Sequence, residues 1–203
     1  DAMADIRIQT THVGSLPGPR DFDATALHDE ESLRAAVEWV VEQQRAAGID
    51  IMNEGELTKG GDWLSFAERR LGGFEERPFP PGGSMVARGQ DRREFADFYK
   101  YPTERQTLFF TPDERIKLTR RYTVATAPVS YVGMRELTRE IDVLRSVVSN
   151  PRRCFLTSTA PSSLEVYRGN EYYQTPDEYV LALAEALRVE YEAIVYAGFQ
   201  LQV

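Results

Sequence analysis

Two hundred and three residues, 42% of them hydrophobic and 28% charged, can bury a real core, which excludes wholesale disorder and collagen-like repeats. No apolar run nears the roughly 18 residues that span a bilayer, and no charged-then-apolar leader opens the chain, so a soluble, cytoplasmic protein is expected. The net charge of −8 argues against general nucleic-acid or anionic-membrane binding, and Cys154, the only cysteine, rules out an internal disulfide or a zinc site built on two cysteines.

Residues 6–13, Ile-Arg-Ile-Gln-Thr-Thr-His-Val, are β-rich and stop at the turn-forming run Gly14-Ser15-Leu16-Pro17-Gly18-Pro19. Ser32 could cap a helix in which Leu33, Val37, Val40, Val41 and Gln44 keep a 3.6-residue rhythm until Gly48. Ile49-Asp50-Ile51-Met52-Asn53 predicts a second strand, closed by Glu54-Gly55-Glu56. A second helix is expected from Asp62 to about Arg70, stopped by Leu71-Gly72-Gly73. Residues 74–120 are then an irregular excursion, rich in Pro and Gly and too long for an ordinary connection. Within 77–121, ten Lys or Arg stand against six Asp or Glu, a basic stretch on an acidic chain. It could attract an anionic substrate tail, or be only a solvated loop face.

Regularity returns with a strand over 122–132 and a helix over 135–149 carrying Leu137, Ile141, Leu144 and Val148 on one face. A strand over 153–159 follows, ending in a Ser/Thr/Pro cluster. Pro176 opens a long helix to Ala197 with Leu181, Leu183, Ala184, Leu187, Tyr191, Ile194 and Val195 on its apolar side. Gly198 closes it, and 199–203 begins a fifth strand. Alternating strands and helices predict an α/β fold with a parallel sheet, its site at the carboxyl ends of the strands. Five repeats could complete a doubly wound sheet or form the first part of an eight-stranded barrel. The chain stops inside an apolar strand, so the barrel, with its second part after Val203, is the expectation.

Residues that could carry chemistry cluster at those strand ends. His12 lies beside Gly14 and Ser15, either as a ligand or as a hydrogen-bonded rim residue. Glu54 and Glu56, two apart on an extended chain, would point to one face and could hold an ammonium or move a proton. Asn170 and Glu171 lie in a polar, aromatic loop, where local turn capping is the alternative. There is no Walker loop, Gly-x-Gly-x-x-Gly fingerprint, nucleophile elbow or His-Glu-x-x-His motif, which disfavours nucleotide binding and serine hydrolysis.

Thr10-Thr11-His12-Val13-Gly14-Ser15-Leu16-Pro17 resembles the opening of the catalytic barrel of cobalamin-independent methionine synthases. Four further segments are similar in the same order: Ala47 to Glu56, Ala127-Pro128-Val129-Ser130, Asn170-Glu171-Tyr172-Tyr173, and Tyr196 to Val203. The resemblance implies a (β/α)8 TIM barrel of which residues 1–203 would cover about the first five strands, as the amino-terminal part of a single domain. It implies zinc-dependent methyl or alkyl transfer to a thiol, with Val13, Gly14 and Ser15 meeting the amino-acid part of homocysteine and Glu56 its ammonium. Zinc would keep the thiol ionised. The family's metal ligands belong to the second half of its barrel, so none is expected before Val203, and no catalytic residue is assigned in this chain.

Two departures stand out. His12 replaces the usual Thr, and Met134 (or Gly133) falls where the folate-using enzymes carry a tryptophan. Both are more typical of shorter single-barrel relatives, some of which add an epoxide to coenzyme M. That reaction is the alternative, and a non-catalytic binding domain is another. The expected partners are a small thiol and a methyl or alkyl donor, without nucleic acid or membrane; a homo-oligomer stays open.

Overall fold

Asp29 opens the first helix, α1 (Glu30–Ala46), its Oδ1 accepting the Ser32 N–H at 3.1 Å. The N-cap is therefore Asp29, and Ser32 lies inside the first turn, where Glu30 and Glu31 complement the helix dipole. The structure is a computed structural model that describes residues 8–23, 29–60, 63–77, 94–98 and 122–203. Most of the 74–120 excursion and of the basic 77–121 stretch lies outside them. After α1 come α2 (Trp63–Arg70), β1 (Leu71–Arg77), β2 (Tyr122–Tyr131), α3 (Met134–Val147), β3 (Phe155–Thr157), α4 (Pro161–Tyr167), β4 (Gly169–Asn170), α5 (Pro176–Tyr196) and β5 (Gln200–Gln202).

The chain divides into two compact units, one of Asp1–Gly72, Ser130–Ala160 and Ala184–Val203, the other of Gly73–Val129 and Pro161–Leu183. In the first unit β3 pairs in parallel with β5, Phe155 opposite Gln200 and Thr157 opposite Gln202. Met52 and Cys154 form a parallel bridge. The Thr10 carbonyl accepts N–H groups from both Asp50 and Ile51 at 3.1 Å. Segments around Thr10, Met52, Phe155 and Leu201 thus follow one another across this unit in chain order.

The core beneath them is built from α1 and α3. Leu33, Ala36, Val37, Val40 and Val41 meet Leu137, Ile141, Val143 and Leu144, with Cys154, Leu156, Ile194 and Phe199 completing the cluster. The α1 stripe is the one its sequence rhythm predicts. On α5 the expected stripe fails at both ends: Leu181 and Val195 are exposed, whereas Leu183, Leu187, Glu190 and Ile194 are buried. Val148 caps α3 in extended conformation instead of extending its face.

The strand expected third in the parallel series is not there. Met52 already donates its N–H to the Arg153 carbonyl and accepts from the Phe155 N–H, so its neighbour is β3. Strand β2 belongs to a separate three-stranded sheet of order β1-β2-β4. The expected five barrel strands are therefore corrected: parallel pairing links Met52, β3 and β5, residues 8–13 and 49–53 form no regular strand, and Ala127-Pro128-Val129-Ser130 lies in the other sheet.

In the second unit β2 pairs in parallel with β4, Val124 opposite Gly169 and Ala125 opposite Asn170. Gly73 (φ +93°) makes the β1–β2 approach possible, since a Cβ there would sit 2.5 Å from the Pro128 carbonyl oxygen. The architecture is mixed α/β, and among the described residues no helix is long and apolar enough to cross a membrane.

Candidate functional site

The carboxyl end of the second parallel segment is a tight turn. Gly55 has φ +70°, and a Cβ on it would meet Val40 Cγ1 at 2.9 Å. Glu56 follows with φ +58°, the one positive φ outside glycine among the described residues. Two successive left-handed residues end the extended chain, so the rule that places residues two apart on one face no longer holds. Glu54 and Glu56, expected side by side, instead go to different environments.

Glu56 is half-buried and its carboxylate is held from two sides. Ser15 Oγ donates to Oε2 at 2.5 Å, and Thr157 Oγ1 donates to Oε1 at 2.7 Å. Ser15 belongs to the exposed turn after the first segment, where Val13 is 84% exposed and Gly14 takes φ +81°. A backbone hydrogen bond from Leu16 N–H to the Gly55 carbonyl (3.1 Å) ties this turn to the Glu56 turn. Three segment ends thus converge on one carboxylate. Each oxygen keeps acceptor capacity for another donor, which suits a ligand cation such as an ammonium.

His12 does not face that carboxylate through any hydrogen bond. Its Nε2 lies 2.8 Å from Gln44 Oε1, and its ring meets Phe155 edge-on at 5.5 Å. Gln44 Nε2 donates to the carbonyls of Val40 and Asn53, so its Oε1 is the acceptor and His12 Nε2 donates. The same Oε1 accepts the Asn53 N–H at 2.9 Å. His12 therefore pins the first segment to α1.

Glu54 is fully buried in a cluster of charges that the sequence did not reveal. Its Oε1 lies 3.3 Å from Lys59 Nζ, and Lys59 also bonds Glu140 on α3. Arg70 donates to Glu140 at 2.5 Å and to Glu190 on α5 at 3.0 Å. Glu190 further accepts from Tyr131 (2.5 Å) and Ser158 (2.6 Å). Two cations face three carboxyl groups, and the charges balance if one carboxyl stays protonated. Burial pushes Glu54 up to about 7 against the pull of Lys59, whereas Glu140 is held down by Lys59 and Arg70 despite its burial. Glu140 and Glu190 could have been found from their places on the apolar stripes, between Leu137 and Ile141 and between Leu187 and Ile194.

In the second unit, Asn170 and Glu171 fall on β4 and just after it. Asn170 Oδ1 accepts the N–H groups of Tyr172 and Tyr173, and its Nδ2 donates to the Tyr173 carbonyl at 2.8 Å. That is local turn capping. Glu171 is exposed and lies 3.8 Å from Arg77. Asn170 also borders a pocket of about 170 Å³ with Glu165, Arg168 and Tyr179. Among the described residues no three His, Cys, Asp or Glu side chains converge where a metal could sit.

No family model and no curated protein matches the chain. Among solved structures it is similar to that of a B12-independent methionine synthase from Shewanella sp. W3-18-1 in complex with selenomethionine. The sequences are 17% identical, the TM-score is 0.61, and the match covers 94% of this chain and 49% of that one. The chain thus spans about half the length of that structure, and the likeness is one of fold.

Proposed function

We propose that this chain is the thiol-substrate half of a (β/α)8 barrel that transfers a methyl or alkyl group to a small amino-acid thiol, as in methionine formation from homocysteine. The observation that carries it is the Glu56 carboxylate, gripped by Ser15 and Thr157 at the ends of three segments. A fold likeness to a methionine synthase structure captured with an amino-acid ligand supports the reading, as does the order of the sequence resemblances. In this reading the Glu56 carboxylate receives the substrate ammonium while backbone N–H groups of Val13, Gly14 and Ser15 meet its carboxylate end. Two-point attachment fixes the direction of the thiol, and that orientation is this half's contribution to the rate.

The resemblance implies zinc, which would keep the thiol ionised. The described residues offer no donor set for it. The resemblance places the family's metal ligands in the second half of its barrel. The alternative acceptor, coenzyme M, has a sulfonate and no ammonium, and its binding would make no use of the Glu56 charge.

Glu56→Gln separates the two. It keeps size and hydrogen bonding but removes the charge. A charge-assisted bond in a partly buried site is worth roughly 1.5–3 kcal/mol, so homocysteine binding by calorimetry should weaken about 10- to 150-fold. Coenzyme M binding should barely change. Unaltered homocysteine affinity in the variant would leave Glu56 as a turn carboxylate and end the proposal.

A further inference from the structure

The two hydroxyls on Glu56 are not equivalent. Ser15 is exposed, on a turn whose neighbour Val13 is 84% exposed, and a residue in that setting can shift with its ligand. Thr157 is nearly buried and lies on β3, its register fixed opposite Gln202 of β5. The next residue, Ser158, is held twice more: its N–H donates to the Gln202 carbonyl at 2.9 Å and its Oγ to the buried Glu190 at 2.6 Å. Thr157 Oγ1 is thus a fixed post, anchored to the sheet and to the charge cluster, at 2.7 Å from Glu56 Oε1. The carboxylate it holds stands on a left-handed backbone at Glu56, a conformation that the surrounding structure has to sustain.

Resting on the function proposed above, we infer that Thr157 is a positioning residue that fixes the plane of the Glu56 carboxylate and so makes this site select ligands bearing an α-ammonium. Its hydroxyl donor occupies one lone pair of Oε1. Each oxygen then keeps a free acceptor position in a fixed direction for a ligand cation. Without that hydroxyl the carboxylate can rotate about its terminal torsion, which is broad and roughly two-fold, and ammonium recognition loses its fixed partner.

The test compares L-methionine with its desamino analogue, 4-(methylthio)butanoate, by calorimetry on the full chain, with the melting temperature as a check of folding. Methionine needs no metal to present its ammonium. Thr157→Val keeps the shape and removes the hydroxyl, whereas Thr157→Ser keeps the hydroxyl and removes the methyl. The Val variant should lose about tenfold in methionine affinity with no change for the analogue, a loss equal to about 1.4 kcal/mol, and the Ser variant should restore the preference. Retention of the wild-type preference in Thr157→Val, with Glu56→Gln losing it, would overturn the positioning role and leave the proposed function standing. Equal loss in the Val and Ser variants would assign the effect to packing and overturn it as well. A wild type that does not prefer methionine over the analogue overturns both readings.

Discussion

Glu54 and Glu56 leave the same turn, separated by one glycine, and end in opposite physical settings. Glu54 enters a sealed cluster in which Lys59, Arg70, Glu140 and Glu190 are each at most 2% exposed. Glu56 stays half-buried, and among the described residues its hydrogen-bond partners are two hydroxyls. The buried cluster spends its charges on itself: every carboxylate that loses its proton meets a cation. Among the described residues, the open site has a carboxylate with no cation hydrogen-bonded to it. One half of the turn is tied into a charge network, and the other leaves carboxylate acceptor positions open, which is what the proposed function requires.

If that contrast is correct, the largest effect should come from the sealed side. Arg70→Met removes one cation between Glu140 and Glu190 and leaves both carboxylates buried, so unfolding in urea should show a loss of about 3–5 kcal/mol. A loss under 1 kcal/mol would mean that the cluster is wetter than its burial indicates. The next effect is a pH dependence. Glu54 sits at about 7 in the fold against an ordinary value of 4.5, so the folded chain binds the extra proton between those values. The stability this provides is complete below about pH 4.5 and is lost as pH rises through about 7. Its slope should reach at most about 1.4 kcal/mol per pH unit. Glu54→Gln, a stand-in for the protonated carboxyl, should flatten that slope between pH 5 and 8. An identical slope in wild type and variant would move the proton to another group.

The smallest change in stability belongs to the open side. Glu56→Gly relieves a left-handed backbone, worth roughly 1 kcal/mol, while losing two side-chain hydrogen bonds of comparable size. Chemical unfolding should therefore stay within about 1 kcal/mol of wild type, while methionine binding disappears. A large destabilisation would place Glu56 with Glu54, as a structural carboxylate.

Sequence patterning carried the helices further than the sheets. The α1 stripe reads directly from Leu33, Val37, Val40, Val41 and Gln44, because a 3.6-residue rhythm is a local property. Strand β1 was hidden: Leu71-Gly72-Gly73 reads as a helix stop, although Gly73 serves to let β1 approach the Pro128 carbonyl. Pairing is not local, so nothing within residues 122–132 marks them for a sheet with β1 and β4 instead of the parallel series. Of the candidate site, Ser15 and Glu56 are legible in the sequence resemblance, and their side chains share a hydrogen bond. Thr157 is not legible, since a threonine inside a strand carries no mark of the carboxylate it will face. The same-face rule misplaced Glu54 because it assumes an extended backbone, and φ +70° at Gly55 ends that assumption.

Met52 and Cys154 are neighbours in the sheet although α2, β1, β2 and α3 all lie between them in the chain. Joining them closes a long loop, and the entropy of that closure must be spent before any hydrogen bond between them returns it. Helices α1 and α3, which share the core, can form locally and then bring the two ends together. The Thr157–Glu56 bond joins the same two segments, so it can form only after this step. The grip on the Glu56 carboxylate accordingly depends on that closure, and a chain slowed in closing the loop would hold a folded α1 before it held this carboxylate.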